Sequence, residues 1–161
     1  MPFIAIIRRL GRQKWFSEMG RAAVPVDRLV GRASRGRISV LAMIGLPSLM
    51  LTTTGRRSGL PRSQPLLYVP DGDGYAVAGS NWGGAKHPGW SANLLADPAA
   101  TVHVRGRQIP VRAVLAKGAE RDRLWDLLQQ TWPAYQNYAA RTDRTIRLFR
   151  LVPVETTTRG R

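Results

Sequence analysis

Three stretches of the chain carry side chains whose types and spacing suit chemistry. Residues 52–62 read TTTGRRSGLPR, which sets Arg56, Arg57 and Arg62 around a turn marked by Gly55, Gly59 and Pro61. Guanidinium forks bind phosphates and carboxylates bidentately, and a glycine-bounded turn lets backbone N–H groups join them. The segment reads either as an anion site or as a solvated basic hairpin. Residues 79–90 read GSNWGGAKHPGW, with four glycines and two tryptophans among twelve positions. Glycine admits close approach and tryptophan offers a stacking face, a mixture that suits a flat ligand. Residues 131–145 read TWPAYQNYAARTDRT and space Trp132, Tyr135 and Tyr138 three apart, broadly on one helical face. Aromatic residues at that spacing form core, yet tyrosines beside a pocket also orient or protonate a substrate. Both readings stay open on spacing alone.

Other chemistries find no support. DGDG at 71–74 superficially resembles a calcium loop, but the sixth and twelfth positions from Asp71 hold Ala76 and Trp82, where glycine and glutamate are needed. TTTGRRSG lacks the Lys-Ser/Thr pair of a phosphate loop. His87 and His103 are far apart with no carboxylate ladder at ligand spacing, so no metal site is expected. Ser80 sits in AGSNW rather than in G-x-S-x-G, which disfavours hydrolysis. The chain has no cysteine, which removes disulfides, thiolate nucleophiles and Cys-based zinc sites.

The elements that must position these residues follow from length, charge and texture. At 161 residues and 43% hydrophobic content, one domain with a proper core is expected. Lys and Arg number 25 against 10 Asp and Glu, a net charge of +15 that attracts polyanions. Residues 1–62 alone hold twelve basic residues against Glu18 and Asp27. The opening MPFIAIIRRLGRQKWF places its charges after a short apolar run and has no small-residue cleavage site, so it does not read as a signal peptide. No apolar stretch approaches the length of a membrane span, and ISVLAMIGLPSLML is interrupted by Gly45 and Pro47.

Residues 1–45 form an N-terminal helical segment in this reading, with Phe3, Ile6, Ile7 and Leu10 in a stripe beside Arg8, Arg9 and Arg12. Such a stripe either packs on its own domain or lies on an anionic membrane surface. Residues 46–155 form the main domain and 156–161 a basic tail. Within the domain, SLMLTTT reads as a strand stopped by Gly55, and QPLLYVP with GYAVAGS as a hairpin around DGDG. WSANLLAD reads as a short helix ending before Pro98, and ATVHVRG with RQIPVRAVLA as a second hairpin. AERDRLWDLLQQTW is a helix with Leu124, Leu127, Leu128 and Trp132 on its buried stripe, and IRLFRLVPV a final strand. The fold class is mainly β with helices (α+β), a small antiparallel barrel with helices at its rim.

LTTTGRRSGLPRSQPL, GSNWGGAKHPGWSANLLADP and WPAYQNYAARTDRTI, in that order from Leu51 to Ile146, together resemble the deazaflavin-dependent nitroreductase and quinone reductase family. The resemblance implies a split β-barrel that binds coenzyme F420 without a metal. It also implies hydride transfer from the reduced deazaflavin to an electron-poor acceptor: a quinone, an activated alkene or a nitro compound. By motif position Arg56, Arg57 and Arg62 would hold the cofactor's anionic tail, with Pro65, Ala78, Gly79, Ser80, Asn81, Lys86, Gly89, Trp90 and Asn93 completing the cofactor site. Arg57 stands where the family often has lysine, and Asn81 where some relatives carry lysine, a charge that Lys86 could restore. Trp132, Tyr135 and Tyr138 match positions lining the acceptor side, and Ser80, Tyr135 and Tyr138 are unranked candidates for the group that meets the developing negative charge.

Two rival readings accompany this one. Other split barrels bind flavin mononucleotide or pyridoxamine phosphate and could use a similar basic turn. A nucleic-acid-binding module would explain the charge, but the aromatics follow helical rather than alternating sheet spacing, so no nucleic acid is expected as partner. The expected location is cytoplasmic, with peripheral contact to anionic membrane through residues 1–16 as an added possibility that suits a lipid-soluble quinone.

Overall fold

The computed structural model describes residues 45–155 together with the isolated positions Glu18, Ala22 and Pro25. Apart from those three and Gly45, the N-terminal segment expected over 1–45 lies outside the described residues, as does the tail 156–161. No helix among the described residues is long and apolar enough to cross a membrane.

Seven strands build one sheet: β1 (Ser48–Thr54), β2 (Pro61–Leu67), β3 (Val69–Asp71), β4 (Gly74–Ala78), β5 (Ala99–Val104), β6 (Arg107–Leu115) and β7 (Leu148–Pro153). They lie in the order β2-β1-β5-β6-β7-β4-β3, with every pairing antiparallel. β2 and β3 are the two outermost strands, yet only Tyr68 separates them in the chain. A flat sheet of seven strands, each about 4.8 Å from the next, would hold its edges far apart, so the sheet must curl until they meet at that corner. The result is the expected antiparallel split barrel. The segment QPLLYVP, expected as one strand, is therefore divided between two. Tyr68 makes the corner: its N–H donates to the Pro47 carbonyl at 3.2 Å, and its ring meets Tyr75 edge-on with centroids 5.4 Å apart.

The period of two along each strand sends alternate residues into the barrel. Leu49, Leu51, Val77, Val102, Val104, Val111, Ala113, Phe149 and Leu151 fill it, and Trp90 and Leu94 join them from helix α1 (Gly89–Ala96). Each buried aliphatic or aromatic side chain of this set contributes about 1.5–3 kcal/mol relative to exposure. Ala76, Ala78 and Leu148 face the other way and pack against α2 (Gly118–Thr131) and α3 (Ala134–Ala140) through Leu124, Leu128, Trp132, Tyr135 and Tyr138. Small alanines on that face let the helices approach closely.

The helix expected up to Trp132 ends at Thr131. Pro133 disfavours the helical region for the residue before it, and Trp132 adopts φ −134°, ψ 86°. Trp132 therefore shares no helical face with Tyr135 and Tyr138, contrary to the spacing argument. The DGDG hairpin between β3 and β4 anchors α2. Asp71 accepts two hydrogen bonds from Arg123, at 2.9 and 2.8 Å, and one from Arg150 at 2.9 Å, while Arg150 also reaches Asp73 at 3.0 Å. The Arg123 hydrogen bond, aided by Arg150 and opposed by burial, holds the Asp71 carboxyl below its ordinary range.

Candidate functional site

The basic turn joins β1 to β2 and is closed by its own backbone. The Gly55 N–H donates to the Leu60 carbonyl at 2.8 Å, and the Gly59 N–H to the Gly55 carbonyl at 2.7 Å. A Cβ on Gly55 would stand 2.6 Å from Ser58 Oγ and 3.1 Å from the Leu60 carbonyl, so any larger residue there would have to displace the Ser58 side chain and crowd the Leu60 carbonyl. Arg56, Arg57 and Arg62 are all exposed on it. Arg62 Nη2 lies 3.5 Å from Ser58 Oγ. Arg56 instead leans onto α1: Nη1 donates to Asn93 Oδ1 at 3.3 Å and to the Gly89 carbonyl at 3.5 Å, and its backbone N–H donates to the same Asn93 oxygen at 3.2 Å. Asn93 is 5% exposed and donates Nδ2 to Thr53 Oγ1 at 3.0 Å. Thr53, itself buried, thus fixes Asn93, and Asn93 fixes Arg56. A Cβ on Gly89 would meet nothing within 4 Å, which leaves open space beside Arg56 at the start of α1. Pro65 is buried on β2, opposite Met50.

The stretch from Gly79 to Pro88 arches from the end of β4 to the start of α1. Ala78 is the last β4 residue, paired with Leu148, and the Gly79 N–H continues the ladder to the Arg147 carbonyl at 2.8 Å. Ser80, half-buried, follows at the strand end. Asn81, Trp82 and Gly83 then turn with φ of 46°, 55° and 75°. Left-handed backbone at two non-glycine residues costs about 1–2 kcal/mol each, so other contacts must impose it. The Gly83 N–H donates to the Ser80 carbonyl and the Gly84 N–H to the Asn81 carbonyl, both at 2.9 Å, while Asn81 Nδ2 donates to the Lys86 carbonyl at 3.0 Å. Gly83 seats against α3, where a Cβ would come within 3.0 Å of both Cα and the carbonyl oxygen of Tyr138. Lys86 is exposed, whereas Trp90 is buried with its ring 5.7 Å from that of Phe149.

One arginine ties the arch together. Arg144, between α3 and β7, donates Nη2 to the Ser80 carbonyl at 2.8 Å, and Nη1 and Nε to the Gly79 and Gly84 carbonyls, each at 3.1 Å. Its Nη1 also lies 3.2 Å from His87 Nδ1. A guanidinium can only donate, so that nitrogen accepts and the neutral ring carries its proton on Nε2. Burial, then the charges of Arg147 and Arg144, push the His87 pKa down. Arg147 adds a hydrogen bond to Ser91 Oγ at 3.3 Å, which links the same connector to α1.

The aromatic cluster sits behind this arch. Trp132, Tyr135 and Tyr138 are 1%, 4% and 1% exposed, among the most enclosed side chains of the domain. Trp132 Nε1 donates to Tyr138 Oη at 3.3 Å, and the Trp82 ring meets Tyr138 edge-on at 5.9 Å. Burial, reinforced by Tyr138, raises the Tyr135 pKa, so its hydroxyl keeps its proton. The structure thus joins the basic turn and the arch through α1, with Arg56 on Gly89 and Asn93 and Arg147 on Ser91. Sequence reasoning passed over Thr53, His87 as an acceptor, Arg144 and Arg147. Nothing local marks Arg144 among 25 cations, because each hydrogen-bond partner of its guanidinium lies at least 57 positions away.

Comparison with known proteins bears on this arrangement. Residues 26–153 match the family model for F420H(2)-dependent quinone reductase. A Mycobacterium tuberculosis (strain H37Rv) relative named F420H(2)-dependent quinone reductase is 36% identical over 118 residues, 71% of this chain and 79% of the relative. A solved structure described as an F420-H2 dependent reductase superposes with a TM-score of 0.61 at 36% identity, covering 65% of this chain and 93% of that one. A heme-binding protein from Mycobacterium smegmatis, 16% identical over 71% of this chain and 51% of its own, shares the fold with a TM-score of 0.54. With the family model spanning most of the chain and a curated relative agreeing with it, the chain belongs to the F420H(2)-dependent quinone reductase family of oxidoreductases.

Proposed function

We propose that the protein is a reductase that passes a hydride from coenzyme F420 to an electron-poor acceptor, with a quinone as the first candidate and nitro compounds or activated alkenes as further ones. The observation that carries this reading is the exposed arginine turn docked on α1 through Arg56, Asn93 and Thr53, beside open space at Gly89. That donor set fits an anionic tail: Arg57 and Arg62 are presented to solvent, and Arg56 is already oriented. When bound, the reduced deazaflavin supplies the hydride.

The chain's own residues bind, orient and stabilise. Arg56, Arg57 and Arg62 hold the tail, with Asn93 acting through Arg56. Pro65 supports the β2 side of the turn from within the sheet. Ala78, Gly79, Ser80 and Asn81 edge the ring slot, Lys86 adds charge at its mouth, and Gly89 with Trp90 forms the wall on α1. Negative charge develops on the acceptor as hydride arrives, and a hydroxyl aimed at it lowers the barrier. Burial ranks the three candidates: Ser80 is half-buried at a strand end, whereas Tyr135 and Tyr138 are 4% and 1% exposed. Ser80 takes the donor role, and Trp132, Tyr135 and Tyr138 shape the acceptor side from behind the arch. Contact of residues 1–16 with the inner face of the membrane would bring a lipid-soluble quinone to the site, and co-sedimentation with anionic liposomes at low salt tests it.

The functional test is a fluorescence titration of the purified protein with F420, run beside flavin mononucleotide and the Arg57→Ala variant, followed by F420H2 oxidation with quinone, nitro and alkene acceptors. Saturable F420 binding that Arg57→Ala weakens about tenfold or more is expected, since hydrogen bonds to charged groups contribute about 1.5–3 kcal/mol. Tighter flavin binding, or no saturable F420 binding, overturns the assignment.

A further inference from the structure

Arg144 holds an arch it does not belong to. Four of its donor contacts go to residues 79–87: three backbone carbonyls and one imidazole nitrogen. Two of those carbonyls belong to Gly79 and Ser80 themselves, so the backbone that carries the Ser80 side chain is held by a residue 64 positions further along the chain. The same arch contains two non-glycine residues in the left-handed region, a conformation that persists only when its surroundings impose it. The acceptor that completes the set is also the one that titrates. A protonated His87 has no lone pair at Nδ1 and would place a second positive charge 3.2 Å from the guanidinium. The charged groups acting on His87 are Arg147 and Arg144, both cations, with Lys86 adjoining it in the chain. No favourable partner among them stabilises the imidazolium.

We propose that Arg144 is a positioning residue for the cofactor slot, holding the Gly79–Gly84 arch in its binding shape, and that protonation of the His87 imidazole releases this hold. The slot is then formed with neutral His87 and loosened with charged His87. This rests on the F420 reading for its ligand, but the clamp itself is a property of the ligand-free protein. Each can therefore fail without the other.

Two arms test it. The first follows ligand-free protein by 15N NMR of the imidazoles and of the Gly83 and Gly84 amides; with only two histidines in the chain, assignment is direct. The expected result is the Nε2–H tautomer at His87, a titration midpoint below that of an ordinary histidine, and Gly83 and Gly84 signals that move with that midpoint. Arg144→Gln should raise the midpoint and speed exchange of both amides, while Arg144→Lys, a point charge without the planar fork, restores the charge effect but not the amide protection. An Nδ1–H tautomer, or glycine amides indifferent to the titration, overturns the clamp in wild-type protein, whether or not the variants fold.

The second arm measures F420 affinity from pH 8 down to about pH 5 in wild type and in His87→Gln, whose amide oxygen can accept from Arg144 but does not titrate. Wild type should lose about tenfold more affinity than the variant over that range, the size of an ordinary coupling between two sites. Equal losses refute the pH-dependent release. No F420 binding at any pH would count against the functional reading, leaving the first arm to decide the clamp.

Discussion

The basic turn and the glycine-tryptophan arch are both glycine-rich, both cationic and both docked on α1, yet they are held in opposite ways. The turn closes on itself within six residues, through Gly55 to Leu60 and Gly59 to Gly55, and leaves Arg57 and Arg62 facing solvent. The arch is fixed by Arg144, Arg147 and Tyr138 from distant parts of the chain, and the Arg144 guanidinium is turned inward onto its carbonyls. A positive residue thus has two uses here. On the turn it is presented to solvent; beneath the arch it serves as the template on which the backbone is held.

The largest effect that could break this contrast is expected at Gly83. An alanine there meets Tyr138 backbone at 3.0 Å and must adopt a positive φ, so Gly83→Ala should destabilise by about 2–4 kcal/mol, measured by chemical denaturation. Unchanged stability would show the arch to be free of α3. Next, Ser80→Ala should lower kcat for quinone reduction about a hundredfold with F420 affinity nearly constant, the pattern of a donor that acts on developing charge. A loss confined to F420 affinity would instead make Ser80 a binding residue.

Asn93→Ala comes third. It strips Thr53 Oγ1 of its donor and removes the oxygen shared by the Arg56 backbone N–H and guanidinium, leaving the guanidinium its longer contact to the Gly89 carbonyl, for about 1–3 kcal/mol of stability together with weaker F420 binding. If stability falls and binding does not, Arg56 is orienting the turn rather than holding the tail. The smallest effect concerns Asp71, outside both regions. Asp71→Asn should cost about 1 kcal/mol at neutral pH. Because the folded carboxyl titrates below 3.8, the stabilisation is fully present above that value and disappears as pH falls through the folded pKa. The gap between variant and wild type should therefore close in acid, as read by thermal unfolding from pH 6 to pH 3.

Much of the fold was legible because it rests on local rules. β1 stops at Gly55 as its turn chemistry required, the second hairpin turns around Gly106, and α1 ends before Asp97-Pro98. Two errors have different causes, one tertiary and one local. QPLLYVP looks like one β run, but its corner at Tyr68 appears only because β2 and β3 become opposite edges of a curled sheet. Trp132 looks like a member of a helical stripe, but Pro133 ends that helix and Trp132 reaches Tyr138 through space instead. Of the site, the cationic turn and the flat glycine-rich stretch were visible as composition, while the grip of Arg144 and the Thr53–Asn93–Arg56 chain of hydrogen bonds were not.

The sequence by itself determined the antiparallel hairpins, the turn that must carry arginines outward and the family to which the chain belongs, since each depends on residue types a few positions apart. Only the tertiary structure decided which arginine faces solvent and which faces the backbone, which hydroxyl is accessible and which nitrogen of His87 accepts. Those choices are made by hydrogen bonds spanning some 40 to 65 positions, whose partners become neighbours only once the barrel has closed.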